Sequence, residues 1–112
     1  PKIELNDNRN RKVLSFSQKN IYIPMNIDTL AEISCLSKDH FIRLFHKEIG
    51  VTPLQYINQK KIERAQLILI TENIPVKNIA YLLSYEDHSY FNRLFKKTTG
   101  VAPQQYRGMY KK

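Results

Sequence analysis

A sixteen-residue block recurs fifty residues further along the chain, and this constrains the fold more than any other feature. Phe41-Ile42-Arg43-Leu44-Phe45-His46-Lys47-Glu48-Ile49-Gly50-Val51-Thr52-Pro53-Leu54-Gln55-Tyr56 returns between Phe91 and Tyr106. Ten positions are identical: Phe41/Phe91, Arg43/Arg93, Leu44/Leu94, Phe45/Phe95, Lys47/Lys97, Gly50/Gly100, Val51/Val101, Pro53/Pro103, Gln55/Gln105 and Tyr56/Tyr106. A period near fifty suits one supersecondary unit, and only two copies fit in 112 residues. The block keeps basic residues as well as core-type ones. Packing alone gives little reason to hold an arginine at the same place twice, so the block reads as one surface-reading device used twice.

A chain of this length, 42% hydrophobic, is one compact folding unit or two very small ones with a real core. No apolar run approaches membrane-spanning length, and no secretory pattern opens the chain. It starts at Pro1 rather than Met, which suggests a piece of a longer polypeptide. The single cysteine, Cys35, excludes an internal disulfide and a multi-cysteine metal site, and it fits a reducing, cytoplasmic setting. The formal charge of +8 favours a polyanionic partner, nucleic acid before anionic membrane, although a merely soluble basic surface has the same composition. Residues 1–56 carry 8 basic and 6 acidic residues, and residues 57–112 carry 10 and 4, so the second half is expected to be the stronger electrostatic anchor.

Scarce glycine and apolar recurrence at three- and four-residue intervals predict an all-α chain. A first helix is expected over residues 7–19, with Val13, Leu14 and Phe16 inward. Pro24 makes Ile21–Pro24 an extended connection. Asn26 caps a short helix, and Ser37 caps the next, Lys38 to Glu48, which buries Phe41, Leu44 and Phe45 before Gly50 ends it. Thr52, Pro53 and Gln55 form a capping box with proline at the first helical position, and Val51 and Tyr56 form a hydrophobic staple. The helix so launched is expected to reach Thr71, with Leu54, Ile57, Lys61/Ile62, Ala65 and Ile68/Leu69 along one stripe. The second copy repeats the plan from Pro75: a short helix through Leu82, a turn at Ser84-Tyr85, and a helix from about Asp87 to Thr98. Ala102 replaces the capping threonine, so the last helix is less firmly started, and residues 107–112 read as a frayed basic tail.

Residues 27–48 and 76–98 thus each read as short helix, tight turn, longer helix. In that helix-turn-helix pattern the second helix enters the DNA major groove. The outer faces carry Asp39, Ile42, Arg43 and His46 in one copy, and His88, Ser89, Asn92, Arg93 and Lys96 in the other. Arginine suits the two acceptors of guanine, and asparagine suits adenine. The alternative for Arg43 and Arg93 is a solvated surface or an ion pair with Glu48 or Glu86.

At this point the chain resembles the DNA-binding domain of AraC/XylS-type bacterial transcription regulators. The first half of that pattern is carried by Leu30-Ala31-Glu32-Ile33, Leu36-Ser37, His40-Phe41-Ile42-Arg43-Leu44-Phe45 and Gly50 to Tyr56. The second is carried by Lys61 to Ala65, Ile79-Ala80, Ser89 to Lys97 and Gly100 to Tyr106. The resemblance implies about seven helices: a first helix-turn-helix subdomain (7–52), a linker helix (53–71), a second subdomain (72–107) and the tail (108–112). It implies sequence-specific binding of double-stranded DNA, most often by an activator, and contact with RNA polymerase is expected with it. An effector or dimerisation segment is expected outside this chain.

The base-contact candidates are Arg43, Arg93, Ile42, Asp39, His88, Ser89 and Asn92. The phosphate candidates are Ser37, Lys38, Lys47, Tyr90, Lys96 and Lys97, with helix-end amides. Three departures from the family pattern stand out. Cys35 and Ser84 occupy the turn position usually held by glycine. Glu86 replaces the capping serine, which leaves Asp87 as the cap. Asp39 and Ile42 suit a phosphate-rich surface poorly. Pro53 to Ile70 spans roughly 27 Å of helix, against about 34 Å between successive major-groove segments on one face. The histidines lack metal-site spacing, no cofactor motif is present, and no nucleophile–base pair points to an enzyme. His40 is expected half-buried, Cys35 small and buried, and Tyr90 either against DNA backbone or in the core. Lys60, Lys61 and Arg64 either touch phosphate or form a solvated face. The opposing class of function is a non-catalytic protein-interaction module.

Overall fold

Residues 8–111 are described by a computed structural model, in which they form seven helices and no strand. In chain order these are α1 (Asn8–Lys19), α2 (Ile27–Ser34), α3 (Lys38–Ile49), α4 (Pro53–Thr71), α5 (Val76–Leu82), α6 (His88–Thr99) and α7 (Pro103–Tyr110). The expected helix start at residue 7 and the tail's last residue, 112, lie outside the described residues. The chain packs as two compact units. Among the described residues, one gathers 8–21 together with Met25–Asn58; the other gathers Tyr22–Pro24 with 59–111.

In the first unit the helix ends are set by side chains as expected. Asn26 Oδ1 accepts from Thr29 N–H at 2.8 Å, and Ser37 Oγ accepts from His40 N–H at 3.3 Å. Gly50 closes α3 at φ +94°, a left-handed conformation that a Cβ disfavours, and its N–H donates to His46 O at 2.9 Å. Phe41 and Phe45 are fully buried, 5.7 Å apart, and Tyr56 meets Phe45 edge-on at 5.8 Å. Val13, Leu30, Ala31 and Ile57 complete this core; Leu14 and Phe16 pack half-buried against it. Asn10, wholly buried, donates through Nδ2 to Glu48 Oε1 at 2.5 Å and so ties α1 to the end of α3.

The junction into α4 is a complete capping box. Thr52 N–H donates to Gln55 Oε1 at 3.0 Å, and Gln55 N–H donates to Thr52 Oγ1 at 3.2 Å. The corresponding start of α7 keeps only one half, Ala102 N–H to Gln105 Oε1 at 3.2 Å, because alanine has no acceptor to return.

The second unit is built on Ile62, Ala65, Ile68, Leu69, Ile79, Ala80, Leu83, Tyr85, Phe91 and Phe95. Asp87 caps α6, accepting from Ser89 N–H at 2.8 Å. Its turn is one residue longer than the first. Leu36 N–H bonds Ala31 O and Tyr85 N–H bonds Ala80 O, a spacing of 49, whereas the caps Ser37 and Asp87 lie fifty apart. Cys35 and Ser84 hold matching left-handed positions at φ 61° and 67°.

Four expectations are corrected. Leu54 is 56% exposed rather than on the inner stripe. The first turns of α4 bury Pro53, Tyr56 and Ile57, whereas the later turns bury Lys61, Ile62, Ala65, Ile68 and Leu69, so the buried face shifts along the helix. Cys35 is exposed, because a left-handed turn carries its side chain out of the packed layer. His40 is also exposed, on the first turn of α3 beyond the Phe41 face. Residues 107–110 are helical rather than frayed. Arg107 donates to the carbonyls of Leu69 (3.0 Å), Glu72 (3.2 Å) and Ile74 (2.6 Å), and Lys111 Nζ donates to Glu72 O and Asn73 Oδ1.

Candidate nucleic-acid interface

Helices α3 and α6 each bury a Phe pair on one side and expose cations on the other. On α3, Lys38, Asp39, His40, Arg43, His46 and Lys47 are all exposed. Arg43 Nε reaches Asp39 O of its own helix at 3.4 Å, which leaves the guanidinium end directed outward. His40, Arg43, Leu44 and Lys47 line one shallow groove. Lys38 stands 3.8 Å from Asp28, both exposed, an arrangement worth little to stability and easily exchanged for a phosphate. Ser37 Oγ is engaged in its cap, and Ile42 is half-buried against the core.

On α6, Ser89, Tyr90, Arg93, Lys96 and Lys97 are exposed. His88 is half-buried, its ring edge-on to Tyr81 at 6.3 Å. Asn92 is half-buried, and its Oδ1 is buried without a hydrogen-bond partner. Tyr90 is 43% exposed, and its ring lies 6.1 Å from that of Tyr85, so it packs on the core through one side and meets solvent on the other. Among the described residues, no ion pair engages Arg43 or Arg93, and Glu48 is bonded to Asn10 instead. The candidates therefore fall into two sets, one on α3 and its cap and the other on α6.

Residues 30–109 match the family model of a helix-turn-helix domain. The chain belongs to the AraC/XylS-type family. Over 87 residues it is 29% identical to the arabinose operon regulatory protein of Escherichia coli, covering 77% of this chain and 30% of that protein. This AraC-type domain thus spans about a third of that curated relative's length. The C-terminal domain of the two-component response regulator yesN from Fusobacterium nucleatum superposes with a TM-score of 0.84 at 29% identity, covering 89% of this chain and 98% of that one. The DNA-binding domain of AdpA, a global transcriptional factor solved with a target DNA, shares the fold with a TM-score of 0.85 at 24% identity, covering 89% and 90% of the two chains.

The AraC-type domain also withdraws one phosphate candidate. Lys61 is only 5% exposed, with Nζ 5.2 Å from the centre of the Tyr85 ring, and burial lowers its pKa. Burial first, and the neighbouring Tyr90 second, raise that of the Tyr85 phenol. Lys60 lies 3.5 Å from Glu63, and Arg64 Nη1 donates to Tyr22 Oη at 3.4 Å. Tyr81, exposed on α5 with its ring against that of His88, falls where the first copy, in the 49-residue register, has Glu32, so the repeat gives no signal for this contact. Among the described residues no helix is long and apolar enough to cross a membrane, and no cluster of potential metal ligands occurs.

Proposed function

We propose that this AraC-type domain reads double-stranded DNA with α3 and α6 in adjacent major-groove segments, as part of a bacterial transcription regulator. The observation that carries the reading is the pair Arg43 and Arg93. They are matched across the repeat, exposed opposite buried Phe pairs, and held in no described ion pair. Each offers a guanidinium fork that suits guanine O6 and N7. Ser89, Asn92 and His88 supplement Arg93, while Asp39 and Ile42 flank Arg43. Asp39 accepts from cytosine N4, and Ile42 offers only the part of its side chain left outside the core. Lys38, Lys47, Lys96, Lys97 and Tyr90 hold phosphates, with the amide ends around Ser37 fixing register. The complex of AdpA with its target DNA supports this use of the shared fold. In this reading the domain acts in the cytoplasm without catalysis, and it contacts RNA polymerase when bound at a promoter.

Selection of bound duplexes from a random pool tests the reading. The expected product is a bipartite, non-palindromic motif with centres about one helical turn apart. A pool that stays random under conditions of measurable binding would instead favour the protein-interaction module.

A further inference from the structure

The position shared by Ile42 and Asn92 reveals how the second unit discriminates bases, an argument that rests on the DNA-reading proposal above. In the first unit Ile42 is half-buried and packs on the core that holds Phe41 and Phe45. One repeat later the same place holds Asn92, equally half-buried, with Oδ1 buried and unpartnered. The site thus suits an apolar side chain. A carboxamide oxygen there loses its water and gains no donor. Nδ2 is not among the buried unpartnered atoms and makes no described hydrogen bond, so it is the polar end that reaches the outer face.

We infer that Asn92 is a donor-only specificity residue. Its amide NH₂ reads an acceptor on a base edge, such as guanine O6 or N7 or thymine O4. The two-point contact with adenine expected from sequence needs Oδ1 to accept from N6 while Nδ2 donates to N7. With Oδ1 turned into the protein, only a single donation is left. The first unit has no equivalent, because Ile42 carries no polar atom, so this discrimination belongs to the second unit alone.

The test compares the whole chain with Asn92→Ile, the residue its own first copy uses, by duplex selection and by thermal unfolding. The variant is expected to melt higher, because it replaces the unpaired oxygen with an apolar group. It is also expected to lose about tenfold or more of the preference at one base position. At that position, modified duplexes lacking a groove acceptor (7-deazapurine, or a base without its O6 or O4) weaken the wild type but not the variant. Removing an exocyclic amino group leaves the wild type unaffected. Sensitivity to that amino group would overturn the inference by showing that the oxygen faces the groove. A lower melting temperature would show that Oδ1 is satisfied where it lies. An unchanged motif in the variant would remove Asn92 from recognition while leaving the DNA-reading proposal standing. A wild type that selects no motif at all would end both.

Discussion

Cys35 and Ser84 sit at φ 61° and 67°, where an L side chain costs roughly 1–2 kcal/mol. Ser84 has compensation, since its Oγ donates to Tyr22 O at 2.5 Å. Cys35 is exposed, and no such side-chain bond to it occurs among the described residues. Cys35→Gly is therefore expected to raise stability by about 1 kcal/mol, read as a higher urea midpoint; a lower midpoint would mean that the thiol contributes packing. Arg93→Ala is expected to cost about 1–3 kcal/mol on the cognate duplex and to relax one position. Equal losses on cognate and random DNA would reassign Arg93 to phosphate. At this scale, sequence was a good guide wherever a residue acts on its own neighbours. The caps Asn26, Ser37, Thr52 and Asp87 and the stop at Gly50 each act within four residues. It misled at Cys35 and His40, and it left Lys61 both on the inner stripe and among outer cations; the exposure of each depends on which distant element arrives beside it. The buried oxygen of Asn92 belongs with these, because nothing in the chain around it announces which half of the amide turns inward.

The repeated helix start provides an internal control at the scale of the element. Both α4 and α7 begin with valine, a cap, proline and a glutamine two residues on, but only Thr52 can return the second hydrogen bond of the box. Ala102→Thr should complete it and stabilise the second unit by about 1 kcal/mol, measured as a higher melting temperature. No change would show that the Pro103 and Val101 contacts already fix the start of α7. The boundaries of α4 were legible for the same local reasons. Its burial was not, since a single stripe drawn through Leu54 assumes one core along the whole helix. Each end of α4 serves a different core with a different face, so periodicity averaged over the helix hides both.

Charge read from the whole chain overcounts the cations that the second half has free for a partner. Of the 10 basic residues in 57–112, Lys61 is buried, and Arg107 and Lys111 are bonded to backbone carbonyls. On the DNA-reading proposal, the ranking of the two halves rests on the outer faces of α3 and α6. In that proposal exposed Asp39 and half-buried Ile42 weaken the first face, whereas Ser89, Asn92 and Arg93 are the contacts of the second. Footprinting is expected to show stronger protection over the segment read by α6, and the opposite order would reverse this ranking. The bonds of Arg107 also bear on the order in which the protein is made. Every residue of the first unit's core has been synthesised by Asn58. The carbonyls of Leu69, Glu72 and Ile74 stay hydrated until residue 107 has left the ribosome. The first unit is thus ready to set early in translation, while the end of α4 in the second waits for a residue made almost forty positions after it.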